Sequence, residues 1–566
     1  MQRSRGRQMT PIQSRVRRNK ANMFMPRLAL WLCSLSVPLA PCAAISQATP
    51  VREADAKCVQ CHEKTYQQYL ATPMANASGL AADNLMPGEF LHKPSGVEYT
   101  VSSLHGKATF AFRTPNGSGG PNEFTLSYFL GSGHLGTTYL YSINNFLFES
   151  PIAWYATSHG YDMKPGLAEM QTMPPPLPMQ SNCLRCHMSS VQASDTGTIN
   201  RYQGLAFLHT GITCEACHGD SQQHVLTRGR SAIVNPAKLD AVRRDSICIS
   251  CHLEGDVSVE RAAHSALNFR PGESIFTYLS YYVRADAKIT ARGVSEVEQL
   301  DQSTCKRASR DSMSCTSCHD PHYTPDVQHR AAFFRSKCLT CHSDPNFASK
   351  HHPENQDCTS CHMRRTGAVN IPHVAWTDHR ILKLPENSNI GPVNKEKEEL
   401  VPLFATETSE RDQAMAYYQL LLDGNRSFEP AAWSRLTEER DTIGNDKEAL
   451  DALGNLDAER GDYQTAEQIF RRVLELDPHD LTALSNLGVL LAKEGNPNDA
   501  ISLLQTAFDR NQDIPGLAMN LARVECMKGD VPAARNTLST ALFYCPNLED
   551  VRRLLTQMKS CEADNK

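Results

Sequence analysis

After residue 40 this 566-residue chain has no apolar run approaching the roughly 20 residues that a membrane-spanning helix needs, so no such helix is expected there. It has no excess of positive charge. Lys and Arg total 57 against 62 Asp and Glu, a formal net charge of −5, which argues against a nucleic-acid partner. No Gly-rich phosphate loop, Ser–His–Asp arrangement or paired-carboxylate signal stands out, so the usual phosphate-binding and hydrolytic chemistries have no carrier. The apolar and charged fractions, 40% and 21%, are ordinary for globular protein, and the length allows several domains.

What the chain has is cysteine, in one pattern. CxxCH occurs at Cys58/Cys61/His62, Cys183/Cys186/His187, Cys214/Cys217/His218, Cys248/Cys251/His252, Cys315/Cys318/His319, Cys338/Cys341/His342 and Cys358/Cys361/His362. These seven motifs use fourteen of the 20 cysteines and seven of the 21 histidines. A shuffled chain of this composition would hold about 0.03 such motifs. Zinc knuckles pair two CxxC half-sites about one ion and do not require the following His. Thioredoxin-like sites carry one CxxC per βαβ unit. Seven repeats of one spacing imply seven covalently bound c-type haems, each held by two thiols with the next His as proximal iron ligand.

The first 27 residues hold eight Lys or Arg and no acid. LALWLCSLSVPLA (28–40) and the small residues of PCAAIS follow, the three-part layout of a secretory signal whose apolar run is too short to span a bilayer. A signal peptide over 1–44 is expected, with Met23 or Met25 as alternative starts. The residues after Arg17–Arg18 fit twin-arginine export poorly. Pro41 before Cys42 makes a lipid anchor there unlikely. A periplasmic or otherwise exported protein follows. Losing residues 1–44 leaves a charge of −13. Seven ferric haems with ionised propionates bring that to about −20, which favours a partner with a basic docking face.

A haem domain is expected over 45–384. The second motif begins 121 residues after His62, and much of that gap alternates like strand: VEYTV (97–101), ATFAF (108–112) and FTLSYFL (124–130), with NGSGGPN between the last two. A small β-rich insertion over about 88–155 is expected. The rest of the haem domain reads as short helices and loops around stacked haems. PENSNIGPVNKEKEEL (385–400) reads as a linker, extending over 385–405.

Beyond it, Gly461, Gly495 and Gly529 are spaced by 34 residues, as are Ala466, Ala500 and Ala534. Gly454 and Gly488 keep the same step, and Pro478 and Pro546 end two units. This is the tetratricopeptide period, in which antiparallel helices need small residues where they cross. An all-α repeat solenoid over 406–561 is expected, with clear repeats at about 447–547, a degenerate one at about 410–446, and EDVRRLLTQMKSC (549–561) as capping helix.

His322, in CHDPH, follows His319 by three residues, too short a tether to reach the far face of the same iron. It is better placed to ligate a neighbouring haem, the alternative being a bond to a propionate or to solvent. His479, after Pro478, reads as solvated.

The stretches CVQCHEKTYQQYLATPMA, GSGHLGTTYLY, GITCEACHGDSQQHV, VNPAKLDAVRRDSICISCHLEG, CTSCHDPH and DCTSCHMRR followed by IPHVAWTDHRI resemble multihaem cytochromes related to the nitrifier tetrahaem carriers. More distantly they resemble hydroxylamine oxidoreductase, and especially bacterial members fused to a tetratricopeptide tail. The resemblance implies closely spaced bis-histidine haems and periplasmic electron transfer. It implies distal roles for His92, His224, His322, His352, His373 and His379. The seventh distal ligand is His134, His159, His209 or Met74, or is absent. His105, His264, His329 and His351 read as surface or propionate-facing. No motif is the CxxCK variant that marks the active haem of related nitrite reductases.

Of the remaining cysteines, Cys33 and Cys42 fall in the signal, and Cys305 reads as a buried structural thiol. Cys526 and Cys561 are the favoured disulfide pair in the repeats, with Cys545 as the third thiol there. Two functions remain. One is an electron carrier whose repeats dock a redox partner. The other is an oxidoreductase in which one haem lacks a distal ligand and binds a small nitrogen or sulfur compound.

Overall fold

A computed structural model describes residues 53–115, 117, 122–285, 292–344, 346–368, 370–383, 399–404 and 409–558. The expected signal segment, Cys42 among it, and Cys561 lie outside these residues, as do 385–398 of the expected linker.

The largest β assembly follows the first motif. Its strands are β1 (Ser78–Leu80), β2 (Gly88–His92), β3 (Val97–Leu104), β4 (Lys107–Arg113), β5 (Glu123–Leu130), β6 (Gly136–Ile143), β7 (Phe146–Glu149), β8 (Ile152–Tyr155), β9 (Gly160–Met163) and β10 (Leu177–Pro178). They pair antiparallel in the order β10-β7-β6-β5-β4-β3-β2, with β1 on β5 and the β8–β9 hairpin on β6. Alternation sets the inner face: Val97, Tyr99 and Val101 of β3 and Phe110 and Phe112 of β4 are buried. Two hairpins turn on two residues with positive φ, His105–Gly106 and Asn144–Asn145, the left-handed turn that matches the twist of the strands.

Further strands are β11 (Met188–Val191) and β12 (Phe207–Thr210), a hairpin beginning directly after His187. Then come β13 (Val257–Glu260), β14 (Leu279–Arg284), β15 (Arg365–Gly367), β16 (Ala375–Thr377) and β17 (Leu400–Pro402). The region before the repeats is therefore largely β-sheet, which corrects the expectation of mostly helices and loops with a small β insertion. Its strands run from Ser78 to Pro178 rather than over 88–155. Part of the expected linker is also strand, because Leu400–Pro402 pairs with Tyr282–Arg284. Short strands of this kind are specified by distant partners rather than by local pattern.

From 409 onward the chain is helical: Glu410–Leu422, Glu429–Glu438, Lys447–Glu459, Tyr463–Leu476, Leu481–Lys493, Pro497–Arg510, Pro515–Met527, Val531–Tyr544 and Glu549–Gln557. The periodic small residues sit at helix crossings. A Cβ on Gly454 would meet the Phe470 ring at 2.8 Å, and one on Gly488 would meet Leu504 at 2.7 Å. Ala466, Ala500 and Ala534 are fully buried. Gly461, Gly495 and Gly529 have φ near +85°, ending each first helix in the left-handed turn that glycine adopts without strain.

Within this solenoid Asp451 lies beside Asp480, which Lys447 pairs at 3.3 Å. Burial first, then the charge of Asp480, pushes the Asp451 carboxyl up to about 9. An unfolded Asp releases its proton near pH 4. Between those values the folded chain binds more protons than the unfolded one, so this group's contribution to stability falls as pH rises. Asp451→Asn removes the charge and is expected to raise the melting temperature, by more at pH 8.5 than at pH 5.5. Thermal denaturation followed by circular dichroism at the two pH values checks this.

Candidate haem-binding sites

Five motifs show a turn of helix that folds their own ends together. The backbone N–H of His218, His319 and His342 donates to the carbonyl of the first Cys of its motif, at 3.0, 2.9 and 3.0 Å. Cys358–His362 is a helix whose N-cap, Asp357, accepts from the backbone of Thr359 and Ser360. Cys248, Cys251 and His252 finish the helix Ala241–His252, capped by Asp240. Positions three and four apart share one helix face, so both thiols and the imidazole point the same way. That is the arrangement needed to bond one porphyrin edge and place a ligand under its iron.

The fourteen motif thiols differ in exposure. Eleven are half-buried, but Cys61, Cys183 and Cys341 are exposed. Cys61 lies in a run of exposed residues from Gln60 to Thr65, within which the backbone leaves helical geometry at His62. Cys341 falls beyond the end of the helix Arg330–Leu339 and is exposed together with His342. Cys183 lies in the short helix Ser181–Leu184, whose inward side chain is Leu184. In the motifs of Cys61 and Cys341 it is the first thiol, Cys58 or Cys338, that lies beside a cysteine of another motif.

Several imidazoles are oriented by carbonyls. Nδ1 lies 2.8 Å from the Val234 carbonyl in His218, 2.9 Å from Ser231 in His224, 2.7 Å from Leu382 in His362 and 2.8 Å from Thr377 in His379. An Nδ1–H that donates to a carbonyl leaves the lone pair on Nε2, the tautomer a metal ligand requires. Burial, followed by the neighbouring His379 and His252, pushes His319 down to about 4. Burial and then His218 lower His322. Both rings stay neutral and available as donors.

The rings meet across motifs. His62 faces His224 with centroids 6.4 Å apart and planes at 16°. His218 faces His322 at 5.9 Å and 9°, and His319 faces His379 at 6.2 Å and 30°. An iron between two imidazoles needs two bonds of about 2 Å plus about 1 Å from each nitrogen to its ring centre, roughly 6 Å in all. These pairs have that separation, so the residues fit the group. His362 faces His351 at 5.8 Å and 20° and His352 at 6.4 Å and 53°.

Thiols of different motifs also touch. Cys58 lies beside Cys214, Cys186 beside Cys251, Cys248 beside Cys315 and Cys338 beside Cys358. Lys57 pairs with Glu215 at 2.6 Å, fastening the first motif to the third. The Arg185 guanidinium donates to the Ser250 carbonyl, fastening the second to the fourth.

Other candidates fall elsewhere. His92 is buried on β2 with Nδ1 2.7 Å from Ser95 Oγ and Nε2 2.9 Å from the Ala168 carbonyl. With both nitrogens engaged it has no lone pair for iron, which corrects its distal assignment. His373 holds Asp162 at 2.6 Å through Nε2 and packs on Tyr155, so it too is turned from the motifs. His134 is exposed between β5 and β6, and His159 lies edge-on to Trp154. His209 lies opposite Ser189, two residues from His187, and Met74 accepts from the Ile212 N–H through its carbonyl. The ring of His187 bonds the Ala77 backbone, and His342 stacks on Phe347 at 4.8 Å. His329 pairs with Asp326, His264 lies edge-on to Tyr278 and His105 sits in its hairpin turn.

His351, read as surface or propionate-facing, is exposed, and it also joins His352 and His362 with ligand atoms all within 4.8 Å of one another. The HH doublet was the available signal. His479 is not simply solvated: Arg510 donates to its Nε2 at 3.1 Å, and Gly197 packs against its backbone. Cys305 is half-buried rather than buried. Cys526 takes part in a disulfide, and Cys545 is a buried free thiol.

The family described as cytochrome c554 and c-prime matches residues 153–219, which hold the second and third motifs. Tetratricopeptide repeats match 457–514 and 491–558. The multiheme cytochrome MtrA of Shewanella baltica is 25% identical over 185 residues, covering 29% of this chain and 52% of that protein. Tetratricopeptide repeat protein 8 of Mus musculus is 30% identical over 118 residues, 20% of this chain and 23% of that protein. The chain thus spans about half of the first relative and under a quarter of the second. Among solved structures, MamA from Desulfovibrio magneticus RS-1 aligns over 27% of this chain and 84% of its own, at 22% identity and a TM-score of 0.24. The chain joins a c-type haem-binding region to helical repeats of a protein-interaction class. More narrowly, it combines a multihaem region like cytochrome c554 with C-terminal tetratricopeptide repeats, and is distantly related to MtrA.

Proposed function

We propose that this chain is an exported electron carrier holding seven covalent c-type haems, with its repeats docking a redox partner protein. When bound, each haem supplies a one-electron redox centre. The protein's part is to anchor each porphyrin through two thiols, to orient the proximal His218 and His362 by carbonyls, and at four motifs to bring a second imidazole opposite the proximal one. His224 serves the motif ending at His62, His322 the motif ending at His218, and His379 the motif ending at His319.

The observation that carries this reading is the stagger of those three pairs. Each distal imidazole comes from the peptide just beyond a later motif, so each haem is tied to the segment holding another. The contacts between thiols of different motifs support the same close succession. Such linkage keeps centres near enough for rapid transfer and limits reorganisation as charge moves.

Haem per chain, measured by pyridine haemochrome, and low-temperature electron paramagnetic resonance on the oxidised holoprotein test the proposal. Seven haems with low-spin iron dominating are expected. An intrinsic high-spin iron in the unmodified protein would instead favour the oxidoreductase, because an open sixth position permits inner-sphere chemistry.

A further inference from the structure

We propose that the haem of the Cys358–His362 motif has two interchangeable distal ligands, His351 and His352, with His351 the resting one. This deepens the preceding reading and rests on haem attachment at that motif.

Three histidine donor atoms lie within 4.8 Å of one another here, where one axial pair would need only two. His362 is fixed through Nδ1 by the Leu382 carbonyl. Both partners face it at separations suited to iron, 5.8 and 6.4 Å, but in different settings. The His351 ring is nearly parallel to His362, at 20°, and is held on its other side by Phe347, stacked at 4.8 Å. Phe347 in turn stacks on His342, the proximal residue of the preceding motif. His352 is tilted by 53° and has φ of +52°, a left-handed backbone that a side chain seldom adopts. Pro353 follows it and disfavours compact backbone at the preceding residue. His351 is therefore the better-supported ligand, and His352 is held in reserve by a backbone that rotation would relax.

The surroundings permit exchange. Residues 351–356 are exposed, and a cavity lined by Arg335, Phe347, Asn355, His351, His352 and His362 lies between the two motifs. In an exchange one iron–nitrogen bond breaks as the other forms, with no change in electron count. With haem bound at this motif, either ring would supply the ligand opposite His362.

Full-length holoprotein carrying His351→Ala, His352→Ala or both tests the proposal by paramagnetic resonance of the ferric state. The tilt between axial imidazole planes sets the rhombic field at low-spin iron, so the two ligands have different signatures. His352→Ala should leave the spectrum unchanged. His351→Ala should keep this iron low-spin but move one signal to larger gmax. The double variant should yield one high-spin iron that returns to low-spin with added imidazole. A high-spin iron in either single variant, an unchanged spectrum in His351→Ala, or a double variant that stays low-spin would each overturn the proposal. Cys358→Ala/Cys361→Ala separates this from the underlying reading. If the motif carries haem, the haemochrome count falls by one; if the count is unchanged, the attachment itself is wrong.

Discussion

Replacing His322 by alanine is expected to open an iron that its own motif does not hold. The ring of His322 faces His218, 5.9 Å away, while the adjacent His319 faces His379. The variant should therefore keep the Cys315–His319 haem six-coordinate and convert the Cys214–His218 haem to five-coordinate. The expected result is one high-spin ferric iron per chain and one new carbon monoxide site in the reduced protein. Added imidazole should reverse the first. His379→Ala should open the Cys315–His319 iron in the same way, and His224→Ala the Cys58–His62 iron. If His322 only bonded a propionate, its removal would leave the spin state of every iron as in the parent. The predicted effect is large because loss of one strong axial ligand changes the spin state outright.

The motif positions were legible because CxxCH is local chemistry: a single helical turn carries all three groups. Exposure was not legible, since Cys61 and Cys58 look alike in the sequence and only the fold turns one of them outward. The three-residue tether of His322 pointed away from its own motif, and its ring lies 5.9 Å from that of His218. His92 and His373 misled because what captures them is remote or folded back by a hairpin. Ser95 and the Ala168 carbonyl take the first, and Asp162 the second. FLHKPSG holds Ser95 but gives no sign of the Ala168 carbonyl, and IPHVAWTDHR gives none of Asp162. The doublet His351–His352 was visible, but which ring faces His362 depends on how Phe347 stacks, which spacing does not reveal.

The repeats were legible from period alone, since each unit repeats the same crossing and needs the same small residue there. The sheet was only partly so. Alternation marked β3, β4 and β5, whose long strands bury one face. Strand β17 pairs with a segment more than a hundred residues away, and LVP by itself carries no signal of it.

Tyr544→Ala is expected to destabilise the whole chain rather than the repeats alone. Tyr544 ends a repeat helix yet belongs to the core of the β assembly, where it is 3% exposed. It meets Phe146 edge-on at 5.4 Å, and its hydroxyl accepts from Asn144 at 3.1 Å. Truncating an aromatic side chain so enclosed costs about 3–5 kcal/mol. Neighbouring bonds tie the same edge: Asn511 donates to the Gly197 carbonyl at 2.8 Å, and Arg510 to Thr196 at 3.1 Å. At the other end of the solenoid Arg411 donates to the Glu260 carbonyl at 2.6 Å, and Ser280 to Asp412 at 2.9 Å. Fastened at both ends, the repeats and the sheet should melt together. Far-ultraviolet circular dichroism, dominated by repeat helix, and near-ultraviolet dichroism, rich in the sheet's aromatic rings, should give coincident transitions in the parent and at a lower common temperature in the variant. A shift confined to one signal would mean the two regions unfold independently. Coincidence carries a functional consequence. The repeat edge bearing His479, Asn511 and Tyr544 is already filled by this chain, so a partner has to engage other surfaces of the solenoid. On the proposed reading, contacts at both ends of the solenoid would set the distance between a docked partner and the haem motifs.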